Sequence, residues 1–198
     1  MSKIQLRQEI LKIRNSLSLE EVENRSDKII NILITKFFSK VTDLENKKIA
    51  LYLNIYNEVK TDQIIKYLSK IVKKGNIALP KINAYIGEME FKSYQLNDQL
   101  EPNSKYQNIF EPKSSMPSLI PEIMLVPLVA CDKYGNRIGM GGGFYDRKIA
   151  KLRELHKYIV VIGLAYSFQL VEKVEVEKHD QALDFIALED RLVDCKSN

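Results

Sequence analysis

Ile123-Met-Leu-Val-Pro-Leu-Val129 runs through Ala-Cys-Asp-Lys-Tyr-Gly-Asn-Arg-Ile138 into Gly139-Met-Gly-Gly-Gly143 and then Phe144-Tyr-Asp-Arg147. The apolar opening reads as a buried central strand. Residues from about Phe144 to Leu155 read as a helix, and the very apolar Tyr158 to Ala165 as the next strand. Strand, helix, strand in that order predicts a mainly parallel central sheet with helices on both faces. The expected fold is therefore a three-layer α/β/α, Rossmann-like open sheet, in which ligands collect at the carboxyl ends of the strands.

The glycine loop lies at such an end. Four glycines in five positions (Gly139, Gly141, Gly142, Gly143) are costly to order, and they admit positive φ angles and close approach of backbone N–H groups to a ligand. A helix starting near Phe144 would aim its unpaired N–H groups and dipole at the same point. Arg137 and Arg147 flank the glycines with forked donors that suit phosphate, and Lys133 adds a third positive charge. Asp146 would repel a phosphate unless a cation lay between, which is how Mg²⁺ is commonly held. The loop reads as a site for phosphate plus magnesium, with a mobile surface loop or tight turn carrying incidental basic residues as the alternative. It is neither a Walker loop, since G-x-x-x-x-G-K-[ST] is absent, nor a dinucleotide fingerprint, since Phe144 stands where a glycine belongs.

Working outward, Ile4, Leu6, Ile10, Leu11, Ile13 and Leu17 fit an amphipathic first helix with Lys3, Arg7 and Arg14 among its basic residues. Ser18 with Glu21 forms a capping box that opens a second. Lys47 to Leu53 reads as a buried strand, and Thr61-Asp62 begins a third helix through Val72 that stops at Gly75. Ile77 to Pro80 and Met89 to Gln95 read as strands. Asn97 to Pro121, with four prolines, reads as a long excursion around a substrate mouth, and Asp190 to Asn198 as a loose tail. One domain over 1–198 is the expected count for 198 residues that are 45% hydrophobic.

Thirty basic against 26 acidic residues leave a net charge of only +4, a poor balance for a nucleic-acid-binding module. No apolar run approaches a membrane span. Cys131 and Cys195 have neither disulfide-framework nor zinc spacing, so a reducing, cytoplasmic home is expected, with no nucleic acid or membrane as partner.

Val126-Pro127, together with Asp132-Lys133-x-Gly135-x-Arg137-x-Gly139-x-Gly141-Gly142-Gly143-Phe144-Tyr145-Asp146-Arg147, closely resembles the signature of the 5-formyltetrahydrofolate cyclo-ligase family, also called 5,10-methenyltetrahydrofolate synthetases. Lys3-Ile-Gln-Leu-Arg7, Leu53 to Glu58 and Glu177 to Leu188 match further family elements in order. The resemblance implies an ATP- and Mg²⁺-dependent enzyme that closes 5-formyltetrahydrofolate to 5,10-methenyltetrahydrofolate. It implies ATP held by Lys3, Arg7, Arg137, Ile138, Gly139, Met140, Gly141, Gly142, Gly143, Phe144, Tyr145 and Arg147, with Arg137 and Tyr145 as catalytic residues. Folate would contact Arg7, Leu53, Glu58, Met140, Gly141, Gly142, Gly143 and Phe144, with Glu58 at the pterin. Asp146 and Asp180 would hold Mg²⁺, and the chain would be a monomer or weak homodimer. Phe144 departs from the commoner tyrosine, and Gly142 stands where some relatives carry lysine.

The residues alone leave blander readings. Lys3 and Arg7, at i and i+4, would repel unless an anion bridges them, or else form an exposed basic face. Glu58 could be a loop acid and Leu53 a core residue. His179, an imidazole, is a residue type that serves in acid–base work but has no evident partner, and His156 sits on a charged helix end. Tyr166 is more simply packing than a ligand contact. The rival function is another small-molecule kinase or ligase using the same loop.

Overall fold

A computed structural model describes residues 2–83, 85–155 and 158–197, so the expectation for His156 lies outside the described residues. In chain order the elements are α1 (Lys3–Asn15), α2 (Leu19–Ile32), β1 (Ile49–Ala50), α3 (Asp62–Leu68), β2 (Ile77–Asn83) and β3 (Glu88–Ser93). Then come β4 (Leu100–Pro102), β5 (Phe110–Pro112), β6 (Ile123–Pro127), β7 (Ala130–Cys131), β8 (Arg137–Ile138), α4 (Phe144–Leu155), β9 (Val160–Leu164), β10 (Phe185–Ala187) and β11 (Leu192–Asp194).

One sheet runs β11-β10-β9-β6-β1-β2-β3. Its five inner strands are parallel neighbours, and β3 and β11 add antiparallel edges. Alternation along each strand sorts the core into two halves. Ile49, Ile77, Leu79, Ile123, Leu125 and Ile162 face one side, where Ile29, Ile30 and Leu33 of the second helical segment and Ile64 and Leu68 of α3 cover them. Ala50, Ala78, Met124, Val126, Val161 and Ile186 face the other, under Ile149 and Leu152 of α4. A sheet buried on both faces explains why these strands are continuously apolar.

Several boundaries differ from the sequence expectation. The ladder of β1 is short because the chain leaves the sheet after Leu51, whose N–H still donates to Ala78 O at 2.9 Å. The third helix ends at Leu68 rather than Val72. Its last turn tightens to i→i+3 bonds at Lys70 and Ile71, and the Lys73 N–H departs to Glu45 O. The 97–121 excursion contains the hairpin β4–β5. Lys81 ties that hairpin to β2 through Glu101 Oε1 at 2.8 Å and Glu111 Oε1 at 2.9 Å. The expected loose tail is corrected outright: Leu192–Asp194 pairs with β10, and Cys195 is buried behind it. No helix among the described residues is long and apolar enough to cross a membrane.

Candidate active site

A cleft of about 690 Å³ opens at the carboxyl ends of β1, β2 and β6 and is closed from above by the glycine loop. The β6 chain continues through Leu128 into the small β7–β8 hairpin, whose turn is set by Asp132. That buried carboxylate accepts from the N–H groups of Tyr134, Asn136 and Val174 and from the Asn136 side-chain amide. Gly135 is required in this turn, with φ +87° and a Cβ that would lie 2.4 Å from Leu183 O. The hairpin returns Arg137 and Ile138 to the cleft, and α4 begins at Phe144 as expected.

Every residue expected in the site lines this cleft except Arg147 and Lys133. Arg147 turns back: it donates to Gly87 O and Gly142 O, both at 3.0 Å, and its guanidinium lies 5.2 Å from the Phe144 ring centre. It braces the loop from outside. Lys133 is exposed and lies over the Tyr134 ring at 5.1 Å, away from the cleft. Tyr166 is fully buried and stacked on Phe168, a core residue.

At the basic end, Arg7 Nε donates to Gly139 O at 2.8 Å, so α1 is fastened to the loop. Lys3 Nζ meets Asp180 Oδ2 at 2.6 Å and Glu177 Oε1 at 3.3 Å. Lys3 is thus paired with two carboxylates and Arg7 with a carbonyl, which offsets the repulsion expected between them. Burial alone would raise the Asp180 carboxyl, but Lys3 and the Glu177 N–H outweigh it and hold it below its ordinary value. Arg137, buried, donates to Gln181 O through Nη1 and to Asp146 Oδ1 through Nη2 at 2.7 Å. Burial lowers its pKa, opposed by Asp146 and Asp180, yet a guanidinium remains charged at any ordinary pH.

Asp146 and Asp180 therefore share a neighbour in Arg137, and each offers hard oxygens of the kind Mg²⁺ takes. The described side chains whose donor atoms come together for a metal ion are Glu177, His179 and Asp180, within 4.8 Å of one another. Asp146 is not in that group, and His179 lies 3.3 Å from Glu177 Oε2 with most of its ring in solvent.

The acidic end is built differently. Beyond β1, Tyr56 (φ 47°) and Asn57 (φ 57°) both adopt the left-handed conformation, which is unusual for a side chain as bulky as tyrosine. That kink turns Glu58 inward, where it is only 5% exposed. Ile55 N–H donates to its Oε2 at 3.0 Å. Burial pushes the Glu58 carboxyl up to about 7, with the Ile55 N–H and Arg14 pulling against it. Tyr145 lies opposite. Burial, with Glu58 adding to it, raises its hydroxyl far above the usual phenol value and keeps it a donor. Two residues escaped the sequence reading: Asp132, noted only as part of a signature, and Arg14, whose side chain is wholly buried beneath the cleft. Only the placement of Arg14 late in an otherwise amphipathic helix hinted at it.

The 5-formyltetrahydrofolate cyclo-ligase family model matches residues 1–189. The chain is 32% identical over 184 residues to the 5-formyltetrahydrofolate cyclo-ligase of Haemophilus influenzae, covering 90% of this chain and 93% of that one. It is 34% identical over 137 residues to that of Escherichia coli, covering 67% and 72%. Among solved structures, Aquifex aeolicus 5,10-methenyltetrahydrofolate synthetase superposes with a TM-score of 0.79 at 28% identity, covering 100% of this chain and 95% of that one. A Mycoplasma pneumoniae 5,10-methenyltetrahydrofolate synthetase gives 0.72 at 28% identity, covering 94% and 98%.

Proposed function

This chain belongs to the 5-formyltetrahydrofolate cyclo-ligase family, and on that premise we propose that it converts 5-formyltetrahydrofolate to 5,10-methenyltetrahydrofolate with ATP as co-substrate. The observation that carries the reading is that one cleft joins a glycine loop at a helix N-terminus to a buried carboxylate at its far end. The first suits a polyphosphate and the second a planar pair of N–H donors such as the amino-pyrimidinone edge of a pterin.

In this reading the formyl oxygen attacks the terminal phosphorus of ATP and ADP departs, turning a poor leaving group into phosphate. N10 of the folate then attacks the activated carbon. Phosphate leaves with its bonding electrons, the N10 proton is lost, and the cationic five-membered ring remains. The nucleophile belongs to the substrate, so the protein supplies orientation and charge. Arg137 and the loop N–H groups neutralise the phosphates, Lys3 and Arg7 close that end, and Glu58 with Leu53 and Phe144 seats the pterin. Tyr145, kept protonated, donates toward the reacting oxygens. Asp146 and Asp180 would hold Mg²⁺, which when bound offsets further phosphate charge. Cys131 and Cys195 are both free and buried in the same half of the core, which suits work in a reducing cytoplasm, and the chain is expected to act as a monomer or weak homodimer.

The test is to mix the protein with 5-formyltetrahydrofolate and follow the near-ultraviolet band of the methenyl product, omitting ATP and magnesium in turn. Growth of the band only with both supports the reading. Phosphate retained on the product, without ring closure, would identify a kinase instead.

A further inference from the structure

Arg14 heads the largest fully buried side chains of the described residues, and it carries a permanent charge that is expensive to bury. Its contacts are incomplete. Nη1 donates to Leu128 O at 3.3 Å, Nη2 lies 3.9 Å from Met140 Sδ, and Nε is buried with no hydrogen-bond partner. The carboxylate in ion-pair range is Glu58, its Oε1 4.0 Å from Nη1. A second link joins the same elements, because Asn57 Nδ2 donates to Arg14 O at 3.2 Å and Leu17 O at 3.0 Å. The kinked loop that carries Glu58 is thus fastened to the turn of α1 that carries Arg14.

We propose that Arg14 is a positioning residue that fixes the Glu58 carboxylate from beneath the cleft and keys it, through Leu128 and Met140, to the glycine loop. Arg14 does not line the cleft and would touch neither substrate. Its role is to hold the pterin end and the phosphate end at a set distance, since Leu128 and Met140 line the cleft on the loop side while Glu58 closes the other. A cation with an unused donor and a long ion pair is strained if its purpose is stability alone, because an apolar side chain of similar size would fill the same space at less cost. The inference rests on Glu58 being the pterin acceptor.

The groups that face Glu58 are Arg14 from α1, the Tyr52 hydroxyl just beyond β1, the Tyr145 hydroxyl from α4 and the Ile55 N–H of its own loop. Arg14 is the cation in this set. Without it the carboxylate loses the charge that favours its ionised form, so the pH at which folate binding turns on should move upward.

The experiment measures 5-formyltetrahydrofolate affinity against pH for the wild type, Arg14→Met, Arg14→Lys, Glu58→Gln and the Arg14→Met/Glu58→Gln pair, with Mg-ATP affinity alongside. Arg14→Met is expected to weaken folate binding about tenfold or more near neutrality and to shift its pH midpoint upward, with Mg-ATP affinity little changed. Arg14→Lys, which keeps the charge and loses the fork, should lose less. In the Glu58→Gln background Arg14→Met should add no further loss, because the effect is transmitted through Glu58. If Arg14→Met does not fold, Arg14→Lys carries the same comparison, and the paired variant, which removes both charges, is the better-tolerated control. An unshifted midpoint, or losses that add to that of Glu58→Gln, would overturn the role of Arg14. If Glu58→Gln binds folate as the wild type does, the pterin assignment fails first and this inference with it.

Discussion

The two ends of the cleft handle charge by opposite means. At the glycine-loop end, proposed for phosphate, the chain gathers donors: loop N–H groups, Arg7, Arg137 and Lys3, with carboxylates to balance them. At the Glu58 end it buries one carboxylate and leaves it a cation 4.0 Å away. A site for a polyanion gains from many donors held in place by partners of their own, whereas a site that must accept two hydrogen bonds from a planar heterocycle gains from one acceptor fixed in place and kept dry.

The sharpest break in this contrast comes from Arg137→Ala. Removing one partner of a buried ion pair costs roughly 3–5 kcal/mol, and the low end is expected here because Asp146 keeps 23% of its side-chain surface exposed. The denaturant midpoint should fall and the KM for ATP rise, while folate affinity holds. Unchanged ATP kinetics in a folded variant would remove Arg137 from the site.

Glu58 makes the next largest difference, and it is a signed one. Its folded-state pKa of about 7 lies above its ordinary value of 4.5, so between those values the folded state binds more protons than the unfolded chain. Its contribution to stability is therefore fully present below about 4.5 and falls as pH rises through 7, by roughly 3 kcal/mol in all. Urea denaturation at pH 5 and pH 8 should show this decline in the wild type and a flatter profile in Glu58→Gln. Equal profiles would mean that the carboxyl is not buried in solution.

In binding, Glu58→Gln should lose about 1.5–3 kcal/mol of folate affinity, or about 10- to 150-fold, and leave the ATP constant near normal. The reverse pattern would exchange the two ends. Gly143→Ala should have the smallest effect. Gly143 sits at φ +65°, and an added Cβ would come 2.6 Å from Arg147 Nη1, the far end of a side chain that can move aside. The left-handed backbone should cost about 1–2 kcal/mol and raise the KM for ATP modestly. An alanine variant as stable as the wild type would show that the loop reshapes freely.

The glycine-loop end of the cleft was legible in the residues themselves, whereas Glu58 and Leu53 at the other end were reached only through the family resemblance, for a physical reason. Glycine density, flanking arginines and a helix start are local, and the chain delivered them in place, with α4 opening at Phe144. The parallel sheet was legible too, because strands covered on both faces are apolar throughout. What stayed hidden depended on distant partners. Arg147 sits beside the glycines yet turns to Gly87. Lys3 was expected to need an anion and found Asp180, 177 positions away. Arg14 looked like one more basic residue on a surface helix until β6 and the Glu58 loop packed over it. The last strand, too short and polar to announce itself, forms because β10 offers an open edge.

The central claim is that a buried, ionised Glu58 receives the pterin, and the most direct measurement is wild-type affinity for 5-formyltetrahydrofolate titrated across neutral pH without nucleotide. The account predicts affinity that rises with pH through a midpoint near 7 and then levels, following the Glu58 carboxyl. Affinity that is flat across that range, or that falls as the carboxylate forms, would contradict it.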